Sequence, residues 1–173
     1  MTVMETTLYC PQALYDRWRV PPEDPNHGQL ARLWHAVYPG LFDEKDLFMA
    51  AESQWHYHFY EWFAAIHLFQ RDGSISMVEK YFLPSHAQKL ARMNSLLSDE
   101  QKEIIRYLDE QGHVQPPDLF VIAPDGNSFY FAEVKGKGDK LRDPQVAGIE
   151  IIRQRMKVPV EVINVKLVDL TRA

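Results

Sequence analysis

The sequence lacks the features that would place it outside the class of single globular domains. Its 173 residues include one cysteine, Cys10, so no internal disulfide can form. It has no run of about 18 apolar residues, which a membrane-spanning helix would need. Its first twelve residues show no basic segment followed by an apolar one, so we expect no secretory signal. These absences predict a single domain over residues 1–173 and a cytoplasmic protein.

Positive charge is also scarce, and it is unevenly distributed. The formal net charge is −5, which argues against a protein that coats nucleic acid nonspecifically. Residues 135–157, however, contain seven lysines and arginines against three acidic residues. A basic strip on an acidic protein fits a restricted site for a polyanion. A solvated helix face is the alternative interpretation.

The sequence pattern of the first two thirds of the chain predicts mainly helices. Prolines punctuate residues 1–45, which predicts an irregular N-terminal arm with a short helix at 29–37. Residues 46–70 are rich in aromatic side chains and predict one long helix, followed by Gly73 and a strand at 74–83. Residues 85–112 predict a helical insertion with a break near 96–98. There, Ser98 and Gln101 have the spacing of a capping box.

The last third alternates strand and helix. Apolar runs at 118–124 and 129–135 flank an Asp-Gly turn and predict a hairpin. A helix at 144–157, with Pro144 in its first turn, and a strand at 160–168 complete the pattern. This order of elements predicts an α/β fold with a mixed central sheet, whose core spans residues 46–173.

The returning strand of the hairpin holds the residues with the clearest chemistry. Side chains alternate faces along a strand, so Glu133 and Lys135 point the same way. Asp118 begins the neighbouring strand, after two prolines that cannot donate ladder hydrogen bonds and so leave the sheet open. Two carboxylates suit a hard cation such as Mg²⁺, and a lysine beside them can stabilise charge on a reacting phosphate. The alternative is a weak, structural Glu–Lys pair.

The residues around this pair resemble a known family. "PPDLFVI" and "EVKGKGDKLRDPQ" are similar to the VRR-NUC branch of the PD-(D/E)xK nucleases. The family pattern E-V-K-G-x-x-D-x-L-x-x-x-Q is met by Glu133, Val134, Lys135, Gly136, Asp139, Leu141 and Gln145. Gln115 stands where the family usually has glycine, which affects a turn and not the chemistry. The resemblance covers 115–167 well and 50–83 loosely, and it does not extend to 1–45 or 84–112.

The resemblance implies a restriction-endonuclease-like core (αβββαβ) and a Mg²⁺- or Mn²⁺-dependent DNA endonuclease. Asp118, Glu133 and the main-chain carbonyl of Val134 would bind the metal, and Lys135 would be the catalytic lysine. Gln145 would reach the active site, with an exposed helix position as the alternative. The basic residues after the strand are expected to contact DNA, namely Lys137, Lys140 and Arg142.

The substrate is left open by the resemblance. Branched or junction DNA is one candidate, and a homodimer is expected because small nucleases of this type often pair two sites. A catalytically silent DNA-binding or scaffold protein on the same fold is an alternative function. A nuclease component of a defence or toxin system is another.

The family also places a glutamate on its first helix, facing the metal. Glu61 and Glu52 are the candidates, and Glu52 would lie roughly 30 Å from the helix end, so we predict Glu61. His56 and His58 are two residues apart, on different faces of the predicted helix, and could not chelate a metal together. The surrounding aromatic residues are interpreted as core or subunit interface, with a platform for stacking bases as the alternative.

Overall fold

The computed structural model describes residues 3–172 and is built on one five-stranded mixed sheet. The strands lie in the order β1-β5-β4-β3-β2, with these bounds: β1 Met4–Pro11, β2 Ile75–Met77, β3 Leu119–Ile122, β4 Phe129–Lys135 and β5 Val160–Val168. β1 and β4 run parallel to β5, while β3 runs antiparallel to both β4 and β2. The predicted α/β fold with a mixed sheet is therefore confirmed.

Seven α-helices surround the sheet within the described residues 3–172. Their bounds are α1 Gln12–Trp18, α2 Gln29–Val37, α3 Glu44–Phe48, α4 Phe59–Asp72, α5 Ala87–Leu96, α6 Asp99–Glu110 and α7 Asp143–Ile151. The inserted helices break where the sequence predicts, because Ser98 and Gln101 exchange side-chain to main-chain hydrogen bonds of 3.0 and 3.2 Å at the start of α6. The order α4-β2-β3-β4-α7-β5 matches the predicted helix–three strands–helix–strand core. No helix within residues 3–172 is long and apolar enough to cross a membrane.

The sheet separates two hydrophobic layers. On one face, helices α1, α2 and α4 pack on strand residues such as Val121, Val134 and Ile163. On the other, α5, α6 and α7 pack on residues such as Phe131 and Val162. Because strand side chains alternate, Glu133 and Lys135 lie on the same face as Phe131, at the end of β4.

The N-terminal segment is not the irregular arm that its prolines predict. β1 pairs with β5 in parallel along its whole length, from Met4 opposite Glu161 to Pro11 opposite Val168. Leu8 and Cys10 are buried on the inner face of this strand. The Thr6 hydroxyl also donates a 2.6 Å hydrogen bond to Glu161. Pro11 ends the strand and precedes α1, so that proline marks a boundary between two regular elements.

The predicted long helix over 46–70 is also wrong. It is divided into α3, a π-helical turn at Met49–Ser53, a break, and α4. The break ends at His58, whose φ of 69° is left-handed and so cannot continue a helix. His56 and His58 therefore precede the helix. The predicted strand at 74–83 is likewise shortened to Ile75–Met77, and the chain adopts a second left-handed φ of 61° at Glu79.

Candidate active site

The hairpin of β3 and β4 places Asp118 beside Glu133. The last paired rung of this ladder joins Leu119 to Ala132, and Asp118 and Glu133 are the next residues on the two strands. Asp118 Oδ2 accepts a 2.8 Å hydrogen bond from the main-chain N–H of Val134. The preceding residue is held as well, because the buried Tyr81 hydroxyl donates to the Pro117 carbonyl at 2.7 Å. Both contacts fix the position of Asp118.

Glu133, Lys135 and Gln145 form a buried polar network. Glu133 Oε1 lies 2.8 Å from Lys135 Nζ and accepts a 2.6 Å hydrogen bond from Gln145 Nε2. Lys135 Nζ also donates to Gln145 Oε1 at 3.0 Å and lies 3.5 Å from Asp139. All three network side chains are buried, at 1%, 4% and 6% exposure for Glu133, Lys135 and Gln145. Gln145 therefore lies inside the site and not on an exposed helix face.

The first turn of α7 positions the Gln145 side chain in this network. Gln145 Oε1 accepts a 3.0 Å hydrogen bond from the main-chain N–H of Arg142, so the side chain also caps the helix. One turn further on, a Cβ at Gly148 would lie 2.0 Å from the Gln115 carbonyl oxygen. Only a glycine at this position lets α7 pack so closely against the segment that leads into Asp118.

An open cleft of about 310 Å³ lies over Asp118 and Gln145. It is lined by His58, Glu61, Glu79, Lys80, Phe82, Gln115, Pro116, Pro117, Asp118, Arg142 and Gln145. Glu61, in the first turn of α4, thus shares the cleft with Asp118. Glu52 is exposed and lines a different pocket, beside Arg32 and Glu44. Of the two candidate glutamates, the structure brings Glu61 to the predicted site.

The carboxyl groups of the site repel one another. Burial, and then the charge of Asp118, raise the pKa of Glu61 to about 8 and that of Glu133 to about 7. Burial also raises the pKa of Asp118. Burial alone would lower the pKa of Lys135, but its contact with Glu133 and the charges of Asp118 and Asp139 together raise it, so the ammonium stays charged. A bound cation would relieve this crowding.

Glu79 and His58 also line the cleft, although neither is among the site residues that the sequence predicts. The Glu79 side chain is 4% exposed, and its Oε1 lies 3.3 Å from Nδ1 of His58. Burial raises the pKa of Glu79 to about 7 and lowers that of His58 to about 4. Both residues have left-handed main chains, which are strained for residues other than glycine and occur preferentially at functional sites. Neither turn has a local signal in the sequence, since no glycine or asparagine marks it.

The donor set suits a magnesium-like cation. Within residues 3–172, no three acidic, histidine or cysteine side chains form a ready-made metal-binding group. Mg²⁺ does not require one, because it commonly takes one or two carboxylates and completes its shell with water and substrate phosphates. Asp118 and Glu133, beside an open cleft, meet that requirement.

The basic loop reaches the cleft at Arg142, whereas Lys137 lines a separate cavity together with Lys135. Lys137, Lys140 and Arg142 are exposed, and Arg142 lines the cleft while donating to Gln115 Oε1 at 3.2 Å. A Cβ at Gly136 would lie 2.2 Å from the ring of Tyr60, so glycine permits the loop to pack on that ring. The loop is thereby held between α4 and the start of α7.

The VRR-NUC domain family matches residues 88–167, a segment that contains Asp118, Glu133, Lys135 and Gln145. The predicted resemblance to this family is therefore confirmed over residues 88–167. Glu61 and the N-terminal helices precede the matched segment.

No curated protein matches the chain. Among solved structures, the crystal structure of paFAN1 bound to gapped DNA with a 2-nt 5′ flap matches with a TM-score of 0.41 and 19% identity. The match covers 84% of this chain, and the chain spans only 24% of the length of that relative.

Proposed function

We propose that this VRR-NUC protein is a Mg²⁺- or Mn²⁺-dependent endonuclease of the PD-(D/E)xK type that hydrolyses phosphodiester bonds in DNA. The observation that supports this function best is the arrangement of Asp118, Glu133, Lys135 and Gln145 at one edge of the sheet. Glu133, Lys135 and Gln145 form one polar network there, Asp118 is held by the adjacent N–H of Val134, and Asp118 and Gln145 line an open cleft. The complete set favours catalysis over a silent scaffold.

The acidic residues would hold the cation. Asp118, Glu133 and the Val134 carbonyl are the proposed ligands, and Glu61 is a further proposed ligand that would have to approach them when the cation binds, because the three carboxylates form no ready-made group. When bound, the metal would polarise the phosphodiester and favour ionisation of the attacking water. The raised pKa values of Glu61 and Glu133 indicate that these carboxyl groups lack a sufficient positive partner within the protein.

Lys135 would act on the reacting phosphate and the attacking water. Its ammonium remains charged beside Glu133 and can stabilise negative charge that develops on the phosphate oxygens in the transition state. Gln145 is a positioning residue, because it holds both Lys135 and Glu133. The network therefore fixes the orientation of the lysine before DNA arrives.

The basic loop would guide the DNA backbone. Lys137, Lys140 and Arg142 are exposed and are the proposed phosphate contacts, and Arg142 also lines the cleft. The net charge of −5 disfavours extended nonspecific binding, so these contacts would restrict DNA to one path. The homodimer remains a prediction, which the mass of the purified protein in solution would test.

A cleavage panel tests the proposal. End-labelled duplex, single-stranded, flapped and four-way-junction DNAs would be incubated with Mg²⁺, Mn²⁺ or EDTA. We expect metal-dependent cleavage of at least one DNA by the wild type, and a loss of about 100-fold in Asp118→Asn, partly rescued by excess Mn²⁺. Asp109→Asn, on the exposed face of α6, is the matched control and should cleave normally. Folded wild-type protein that cleaves none of these DNAs with either metal would refute the proposal.

A further inference from the structure

A second cavity of about 510 Å³ adjoins the candidate cleft. We define the aromatic groove as the part of this cavity formed by Tyr15, Arg19, His56, Tyr57 and Tyr60. His58 and Glu61 line both the groove and the cleft. A strand of nucleic acid in the cleft could therefore extend into the groove along one continuous surface.

The groove presents aromatic rings on a fixed main chain. The Tyr57 side chain is 57% exposed, and the exposed His56 ring lies beside it with a centroid distance of 4.0 Å. The Tyr57 carbonyl accepts a 2.9 Å hydrogen bond from Nε1 of the buried Trp18. The main chain is thus held in place while the rings remain accessible, as a preorganised stacking surface requires.

The groove also contains positive charge and adjoins the basic loop. The Arg19 guanidinium lies 5.4 Å from the centroid of the Tyr15 ring and donates a 2.6 Å hydrogen bond to its hydroxyl. The Tyr60 ring packs against the main chain of Gly136, the first residue of the basic loop. Aromatic faces combined with arginine and a basic track are the features with which proteins bind single-stranded nucleic acid.

We propose that the aromatic groove binds unpaired nucleotides next to the scissile phosphate, with a base stacked on Tyr57. This inference rests on the proposed nuclease function and narrows its substrate to DNA with unpaired nucleotides beside the cleaved bond. A base inside a duplex is already covered on both faces, so it cannot stack on a protein ring unless it is unpaired. The groove residues lie outside the matched VRR-NUC segment, so the site is a feature of the N-terminal part of this chain.

Fluorescence of 2-aminopurine tests the groove directly. The probe base would be placed in the unpaired 5′ or 3′ arm of an otherwise duplex DNA and mixed with the full-length protein in EDTA, where no cleavage occurs. Stacking on Tyr57 should quench the probe in one of the two arms. Tyr57→Ala should abolish the quenching and weaken binding of that DNA about tenfold, whereas Tyr57→Phe should retain both.

Two controls separate stacking from other effects. Tyr107→Ala removes a partly exposed tyrosine from α6, outside both cavities, and should change nothing. A fully paired nicked duplex should bind Tyr57→Ala and the wild type equally. Quenching that survives in Tyr57→Ala, or an equal loss of affinity for the paired and the armed DNA, would overturn the inference. If the wild type cleaves no DNA, the nuclease function fails, but quenching still reports on the groove.

Discussion

Gln145 donates a 2.6 Å hydrogen bond from its side-chain amide to the buried carboxylate of Glu133. The two residues lie on different elements, α7 and β4, so this bond links the helix to the strand that holds two of the metal-ligand candidates, Glu133 and Val134. The amide oxygen of the same glutamine accepts hydrogen bonds from Lys135 and from the N–H of Arg142. One side chain thus caps a helix and orients two residues of the candidate site.

Replacing Gln145 should therefore impair catalysis more than folding. In Gln145→Ala, Glu133 and Lys135 lose a shared partner, and we expect the single-turnover cleavage rate to fall about 10- to 100-fold. Loss of the cap should lower the free energy of unfolding by about 1 kcal/mol. Gln154→Ala, an exposed glutamine beyond the same helix, is the control and should leave the rate unchanged. A wild-type rate in Gln145→Ala would show that the glutamine has no positioning role.

Stability without metal should fall as the pH rises from about 6.5 to 8.5. Glu61, Glu79 and Glu133 have pKa values of about 8, 7 and 7 in the folded protein, above the ordinary value of 4.5. In this range the folded state binds more protons than the unfolded state, so the stabilising contribution of these groups is present at low pH and lost as they ionise. The lowered pKa of His58, about 4, has the opposite effect, but only below pH 6.5.

Thermal melting in EDTA across this pH range measures the effect. We expect the melting temperature of Glu61→Gln to depend less on pH than that of the wild type. At pH 8 this variant should melt about 2–4 °C higher for each kcal/mol of relieved repulsion between the carboxylates. Glu44→Gln, an exposed glutamate on α3, is the control. Mn²⁺ should restore much of the stability of the wild type at pH 8. A melting temperature that rises between pH 6.5 and 8.5 in EDTA would contradict the carboxylate crowding.

Gly148→Ala should destabilise the protein and disturb Asp118. The new Cβ would lie 2.0 Å from the Gln115 carbonyl oxygen and 3.1 Å from its carbon, and both atoms belong to the main chain. The helix must shift, at a cost of about 1–3 kcal/mol. Because Gln115 leads into Asp118, metal affinity should fall together with stability. Gly112→Ala is the control. Its new Cβ would have no atom of residues 3–172 within 4 Å apart from those of its chain neighbours, so this variant should melt like the wild type.

Local signals account for the parts of the site that the sequence predicts. The alternation over Phe129–Lys135 and the Asp125-Gly126 turn define β4 and its hairpin, and the hairpin then dictates that Asp118 and Glu133 are neighbours. The turn forms as expected, with Asp125 accepting hydrogen bonds from Asn127 and Ser128 and Gly126 at a φ of 73°. These features depend only on residues that are close in the chain.

The remaining features depend on distant contacts or on strain. β1 forms a strand because it pairs with β5, more than 150 residues away in the chain. No local sequence pattern indicates a parallel partner at that distance. The left-handed turns at His58 and Glu79 oppose the intrinsic preferences of their residues, so tertiary packing must impose them. The close approach of Gly148 to Gln115 likewise appears only once α7 is packed.

Single-turnover cleavage by Lys135→Ala tests the central claim most directly. The variant should be compared with the wild type and with Lys102→Ala, a lysine on α6, in Mg²⁺ and Mn²⁺ on the DNA that the wild type cleaves best. Because Lys135 would act on charge that develops in the transition state, we predict a rate loss of at least about 100-fold, with DNA affinity and fold little changed. Lys102→Ala should behave like the wild type. Cleavage by Lys135→Ala at the wild-type rate, with the same metal dependence, would mean that the Glu133–Lys135 pair is structural and would contradict the account.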